Sequence, residues 1–139
     1  MADATHIKLG ALGEKIAADH LEKNGYRIVD KNVRMSKNEI DIIAEDDSFL
    51  VFVEVKTRSV EHEGSSLYGS PARAVDSKKR SNTVKAAIDY LRINHTDKQP
   101  RIDVIEVYMK ERDETKTIYP QILSINHIRN AFDSKGRKH

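Results

Sequence analysis

The sequence predicts a single α/β domain, and three observations predict it. Two stretches, residues 7–23 and 76–94, carry apolar residues at helical spacing. Short runs rich in Ile, Val and other strand formers lie around them, at 26–33, 39–44, 49–57, 101–109 and 117–123. The length, 139 residues, is that of one ordinary domain, with no internal repeat and no dividing linker. The domain is placed at residues 1–132, and a disordered basic tail is expected at 133–139.

In residues 7–23, Leu9, Leu12, Ile16 and His20 form a stripe, with Ala17 and Leu21 at its edge. Glu14 falls at the margin of that stripe, where a helix meets the rest of a fold. Asn24-Gly25 ends the helix, with Gly25 suited to the left-handed position after it. Tyr26–Val33 then reads as a strand. Asn38, a turn-tolerant residue, leads into Glu39–Ala44, and the acidic turn Glu45-Asp46-Asp47-Ser48 returns the chain through Phe49–Thr57.

Ser59–Val75 reads as a loop rich in Gly, Ser and Pro. Gly64 and Gly69 have half the spacing of a phosphate loop, but Ser70-Pro71 stands where Lys-Ser/Thr is required, so that motif is rejected. Asp76 or Ser77 can cap the second helix, Asp76–Asn94, whose stripe is Val84, Ala87, Ile88 and Leu91. Its first turns carry Lys78, Lys79 and Arg80, which oppose the helix dipole. Either they form a solvated face or they have another task.

Arg101–Met109 alternates as a strand, with Ile102, Val104 and Glu106 on one side and Asp103, Ile105 and Val107 on the other. Glu111–Thr115 is a polar turn, Thr117–Leu123 an edge strand interrupted by Pro120, and Asn126–Phe132 a short helix.

Composition excludes several classes of function. Without cysteine there is no disulfide and no thiolate metal site. No apolar run approaches the ~20 residues that span a bilayer. Met1–His6 shows no basic-then-apolar signal, so a cytoplasmic location is expected. Charge is nearly balanced, 24 basic against 22 acidic residues, so any affinity for nucleic acid must come from local clusters.

The functional signal lies in Asn38–Arg58. Side chains alternate across a strand, so Glu39 and Asp41 share a face, as do Glu54 and Lys56. A turn closing symmetrically about Asp46-Asp47 puts residue 41 opposite 52 and residue 39 opposite 54, with all four charges on one side. Ile40, Ile42, Val51, Val53 and Val55 then occupy the other. Adjacent carboxylates repel and are expensive to desolvate, and a divalent cation removes the conflict. Oxygen ligands favour Mg²⁺, Mn²⁺ or Ca²⁺ over zinc, and Asp41 and Glu54 fit the one or two carboxylates that Mg²⁺ takes. Such a metal would polarise a phosphodiester and acidify a bound water. Lys56 could orient that water or stabilise developing negative charge. The plain alternative is a network of Glu–Lys pairs on a solvated sheet face.

Asp41, twelve residues, then Glu54-Val55-Lys56 resembles the Asp-(spacer)-Glu-x-Lys signature of the restriction-endonuclease-like nuclease superfamily. The wider order is more specific. Gly10-x-x-Gly13-Glu14, Glu39-Ile40-Asp41, Phe52–Arg58, then Lys78 or Lys79 and Arg101-Ile102-Asp103-Val104 together resemble the bacterial YraN-like proteins, a family similar to archaeal Holliday-junction resolvases. The resemblance covers roughly residues 7–132.

It implies a restriction-endonuclease-like α/β fold, with a mixed central β-sheet flanked by helices. It implies Asp41 and Glu54 as metal ligands, Lys56 as the catalytic lysine, Glu14 as the helix-borne carboxylate and Glu39 as an accessory acid. Asn38 departs from the family's usual Gly before Glu-Ile-Asp. The expected function is a Mg²⁺- or Mn²⁺-dependent DNA endonuclease, with branched DNA among its candidate substrates. Arg58, Lys78, Lys79 and Arg80 would contact phosphates, and a homodimer is expected by analogy. The alternatives are a non-catalytic nucleic-acid-binding module in a DNA repair or processing complex, and a protein-interaction domain.

Overall fold

A computed structural model of the chain describes residues 2–60, 77–110 and 121–132. The elements in order are α1 (Ala2–Lys23), β1 (Arg27–Met35), β2 (Asn38–Glu45), β3 (Phe49–Val60), α2 (Ser77–Ile93), β4 (Gln99–Lys110) and β5 (Gln121–Ile128). The five strands form one sheet in the order β1-β2-β3-β4-β5. Only β3 and β4 pair in parallel, and β1–β2, β2–β3 and β4–β5 are antiparallel. The protein is thus α/β with a mixed sheet. Of the expected loop over 59–75, Ser59 and Val60 instead end β3 and the rest lies outside the described residues, as do the polar turn at 111–115 and the tail from Asp133. No helix among the described residues is long and apolar enough to cross a membrane.

The two helices cover opposite faces. α1 packs Ile16, Ala17, Ala18 and Leu21 against Ile42, Val51, Val53, Ile105 and Val107. α2 packs Val84, Ala87 and Tyr90 against Ile43, Phe52, Ile102 and Val104. Neither buried stripe is centred as expected. On α1, Ala17 and Leu21 are fully buried, while Leu12 and His20 are half-buried. On α2, Thr83 and Ala86 are buried and Ile88 is exposed. Periodicity gives the width of an apolar stripe, but the sheet fixes which of its edges turns inward.

Gly25 does take the left-handed conformation, at φ +91. The N–H of Tyr26 donates to the Leu21 carbonyl at 3.0 Å and that of Gly25 to Glu22 at 3.2 Å, the paired bonds of a Schellman ending. The β1–β2 turn differs from expectation. Its left-handed residue is Ser36, at φ +60, and not Asn38.

The hairpin register also differs. The structure pairs Ile43 with Phe52 and Ala44 with Val51, so residue 41 does not lie opposite 52. The turn closes across Asp46 and Phe49 (N–H to carbonyl, 3.1 Å), and the Asp46 carboxylate accepts the Ser48 and Phe49 N–H groups at 2.8 and 2.7 Å. That side-chain clamp moves the turn centre one residue along and the register by two. A shift of two preserves parity, so Glu54 and Lys56 keep their face.

The C-terminal region is the largest correction. Asn126–Ile128 completes β5 and is not helical; β5 begins at Gln121, and 117–120 lie outside the described residues. Asp103 explains the strand: its carboxylate takes His127 Nε2 at 2.7 Å and the Asn130 N–H at 2.9 Å.

Candidate functional site

β2 and β3 pair only from Glu45–Ile42 against Leu50–Val53. Beyond that point β3 continues with β4 as far as Val60 paired to Lys110. Asp41 stands where the β2–β3 ladder stops, and its Oδ2 accepts the Val55 N–H at 2.8 Å. A side chain thus continues a ladder that the two backbones have left. β2 changes sides here: Ile40 packs with Ile43, Phe52 and Tyr90, not with Ile42 as expected.

Glu54 is the most enclosed charge of the group, only 4% exposed. Its Oε1 faces Lys79 Nζ at 3.1 Å and Lys56 Nζ at 4.0 Å, while Oε2 has no hydrogen-bond partner. Burial, and then the Asp41 carboxylate, push Glu54 above its ordinary value against the pull of both lysines. Burial likewise raises Asp41, with Glu39 adding to it, although the Val55 N–H and Lys79 oppose the shift. Burial works against charge on Lys79, but Glu54 outweighs it and holds that ammonium above its usual range. Two carboxylates that repel each other are therefore held together between two lysines.

Glu14 approaches from α1. Burial raises it first, followed by Asp41 and Glu39, so it senses both β2 acids. Asn32 joins Glu14 to Glu39. It sits at φ +51 in β1, and with its amide oriented to satisfy both partners its nitrogen donates to Glu14 at 2.8 Å and to Glu39 at 3.2 Å. Glu39 is exposed and 3.8 Å from Arg34.

α1 can come this close because residue 13 is glycine. A Cβ on Gly13 would collide with the Thr57 hydroxyl and lie 3.1 Å from Thr57 Cβ. Gly10 has no neighbour that demands glycine. Gly13→Ala gains about 1 kcal/mol of helix propensity against an overpacking cost of about 1–3 kcal/mol. We expect a lower melting temperature, partly recovered by adding Thr57→Ala, which removes the colliding hydroxyl. A Gly13→Ala protein melting at or above wild type would rule out this close approach.

On the α2 face, Glu54, Lys56 and Arg58 of β3 lie beside Val104, Glu106 and Tyr108 of β4. Arg58 is half-buried, and its charge acts on Tyr108, which burial and Glu106 hold above its ordinary value. Glu106 is fully buried, and its Oε1 accepts from Asn126 Nδ2 at 2.6 Å. Lys78 is exposed and Arg80 half-buried on α2. The structure thus gathers Glu14, Glu39, Asp41, Glu54, Lys56 and Lys79 around one break in the sheet. Asn32 and Glu106 were missed from sequence. A carboxylate following Ile102 and Val104 on one side of its strand could have flagged Glu106, but nothing local marks Asn32.

Such an arrangement can hold a hard cation on oxygen. The Glu54 oxygen without a partner and the Asp41–Glu54 repulsion suit one. Among the described residues no three carboxylates or imidazoles close a complete cage. Mg²⁺ requires none, because it keeps waters and typically uses one or two carboxylates with substrate phosphate.

An α/β protein with a carboxylate–lysine cluster at a broken strand pair is the class that fold and site define. The chain belongs to the Uncharacterised protein family UPF0102, whose model matches residues 13–107. It is 43% identical over 125 residues to a UPF0102 protein of Caldanaerobacter subterraneus subsp. tengcongensis, covering 89% of this chain and 93% of that one. A UPF0102 protein of Alkaliphilus oremlandii is 42% identical over 128 residues, covering 90% and 97%. One of Flavobacterium psychrophilum is 42% identical over 129 residues, covering 93% and 97%.

Proposed function

We propose that this protein is a metal-dependent DNA endonuclease of restriction-endonuclease-like fold, hydrolysing phosphodiester bonds, with branched DNA among its candidate substrates. The observation that carries the reading is Glu54. A carboxylate 4% exposed, with one oxygen unpartnered, beside a second carboxylate and between two lysines, suits metal and phosphate better than protein structure alone.

In this reading Asp41 and Glu54 hold Mg²⁺ or Mn²⁺, which supplies Lewis-acid polarisation of the phosphate and an acidified water. Lys56 orients the attacking water and stabilises charge developing on phosphate. Lys79, 3.1 Å from Glu54, lowers the cost of burying that carboxylate and offers its charge to the substrate. Glu14 and Glu39, joined through Asn32, complete the acidic wall and position water. Arg58, Lys78 and Arg80 add phosphate contacts. A homodimer, needed to cut two strands symmetrically, and a cytoplasmic location belong to the same proposal.

The test is cleavage of linear, flapped and four-way-junction DNA with Mg²⁺ or Mn²⁺. Junction DNA should be nicked only with metal, and Lys56→Ala should slow the reaction about 10²–10³-fold, as loss of one charge-stabilising donor does, with an unchanged circular dichroism spectrum. Equal cutting by Lys56→Ala removes the lysine's role. Salt-dependent binding without cutting on any substrate favours the non-catalytic DNA-binding module instead.

A further inference from the structure

Between the β1–β2 turn and α2, reaching Glu39 and Lys79 of the carboxylate–lysine group, lies a polar cleft of about 230 Å³. One wall is the β1–β2 turn, with Arg34, Lys37 and Asn38, and the other is α2, with Lys79 and Asn82. The two-residue turn between Met35 and Asn38 sets the first wall, and the Thr83 hydroxyl, donating to the Lys79 carbonyl at 3.0 Å, lies at the base of the second.

The lining is rich in donors. Arg34, Lys37 and Lys79 carry positive charge, and Asn38 and Asn82 offer amides. Glu39 is the one acid of the lining, and it lies 3.8 Å from Arg34. Among the described residues no hydrogen bond or ion pair engages the side chains of Lys37, Asn38 or Asn82. Lys79 belongs to both places, lining the cleft and reaching Glu54 at 3.1 Å.

We propose that this cleft binds a backbone phosphate of a nucleic-acid strand, the one neighbouring the phosphodiester at Asp41 and Glu54. This rests on the endonuclease reading and adds residues to it: Arg34 and Lys37 as cations, Asn38 and Asn82 as neutral donors to phosphate or sugar oxygens. It also gives the strand a direction across the protein, from the metal-binding carboxylates past Lys79 to the β1–β2 turn. Cations and amides recognise phosphate whatever the base, so the cleft positions the strand without reading sequence.

The experiment is fluorescence anisotropy of the full chain with fluorescein-labelled single-stranded, duplex and junction oligonucleotides, in EDTA so that nothing is cut. Lys37→Ala, Asn82→Ala, their combination and Lys85→Ala, an exposed α2 lysine outside the cleft, are compared. The double variant should bind at least tenfold more weakly. Lys37→Ala should lower the slope of log K against log salt by about 1, and Asn82→Ala should weaken binding with the slope unchanged. Wild-type affinity and slope in the double variant overturn the proposal, as does an equal loss in Lys85→Ala. Cutting assays on the same proteins separate the two readings. Binding that needs Lys37 and Asn82 without any cutting leaves the cleft standing and removes the nuclease. Metal-dependent cutting with binding indifferent to both residues does the reverse.

Discussion

Asp103→Ala is expected to cost about 3–5 kcal/mol of stability, the loss that follows when one partner of a buried ion pair is removed. Asp103 is fully buried and accepts four hydrogen bonds: Arg101 Nε and Nη2 at 2.9 Å each, His127 Nε2 at 2.7 Å and the Asn130 N–H at 2.9 Å. These bonds tie the start of β4 to the end of β5 and the turn after it. Arg101 in turn donates to the Tyr26 hydroxyl at 2.6 Å and lies over the Phe49 ring at 4.7 Å, so the residue just before β1 and the first residue of β3 join the same knot. Alanine would leave the guanidinium, 10% exposed, without its anion. A domain has about 5–15 kcal/mol to lose, so urea unfolding should show a much lower midpoint. Arg101→Met with Asp103→Leu removes both charges and should recover much of the loss. An Asp103→Ala midpoint near wild type would show that the knot is not a stabilising element.

The same residue fixes a pH dependence. Burial alone would raise Asp103, but His127, Arg101 and the Asn130 N–H outweigh it and hold the carboxyl below its ordinary value of 3.8. A depressed folded pKa means stability that is present above the unfolded value and lost as pH falls through the folded one. Wild-type stability should therefore fall more steeply below about pH 4 than that of Asp103→Asn.

Glu54→Gln is expected to abolish metal-dependent cutting and metal-dependent stabilisation together. With Mg²⁺ at a hundred times its Kd the wild type gains about 2.7 kcal/mol, and a variant that does not bind gains nothing. Without metal the order should reverse. The environment of Glu54 disfavours its charge, through burial and Asp41, so a neutral amide of the same shape relieves a conflict. The sign of the pH effect is opposite to that of Asp103. The folded pKa of Glu54 lies above its reference of 4.5, so metal-free wild-type stability falls as pH rises from that value through the folded one. Thermal unfolding with and without Mg²⁺ reads both effects. A Glu54→Gln protein still stabilised by Mg²⁺ would remove Glu54 from the metal-binding set.

Much of the site was legible along the chain because it depends on parity. Glu54 and Lys56 share a face because they stand two residues apart on one strand, and the observed register differs from the expected one by two, which keeps them on the side of the Ile43–Phe52 pair. What moved the register was the Asp46 carboxylate binding the Ser48 and Phe49 N–H groups, a contact any of three successive acidic residues could have made. Lys79 was read as a phosphate contact, and the structure adds its place against Glu54. Asn32 was invisible because its role depends on a left-handed backbone and on two carboxylates from other elements.

The sequence by itself determined the α/β class, the two helices, the charged group on the hairpin and four strands, read at Tyr26–Val33, Glu39–Ala44, Phe49–Thr57 and Arg101–Met109 and found at Arg27–Met35, Asn38–Glu45, Phe49–Val60 and Gln99–Lys110. Those features follow from local propensity and from periods of 3.6 and 2, which a chain carries without folding. The tertiary structure alone decided the fate of Asn126–Ile128, which pairs with β4 and serves Asp103. It also decided which helix edge faces the sheet, and that β2 leaves β3 at Asp41 so that residues from α1, β2, β3 and α2 meet. These outcomes depend on long-range pairing and on buried charges finding partners, and neither has a period to be read along the chain.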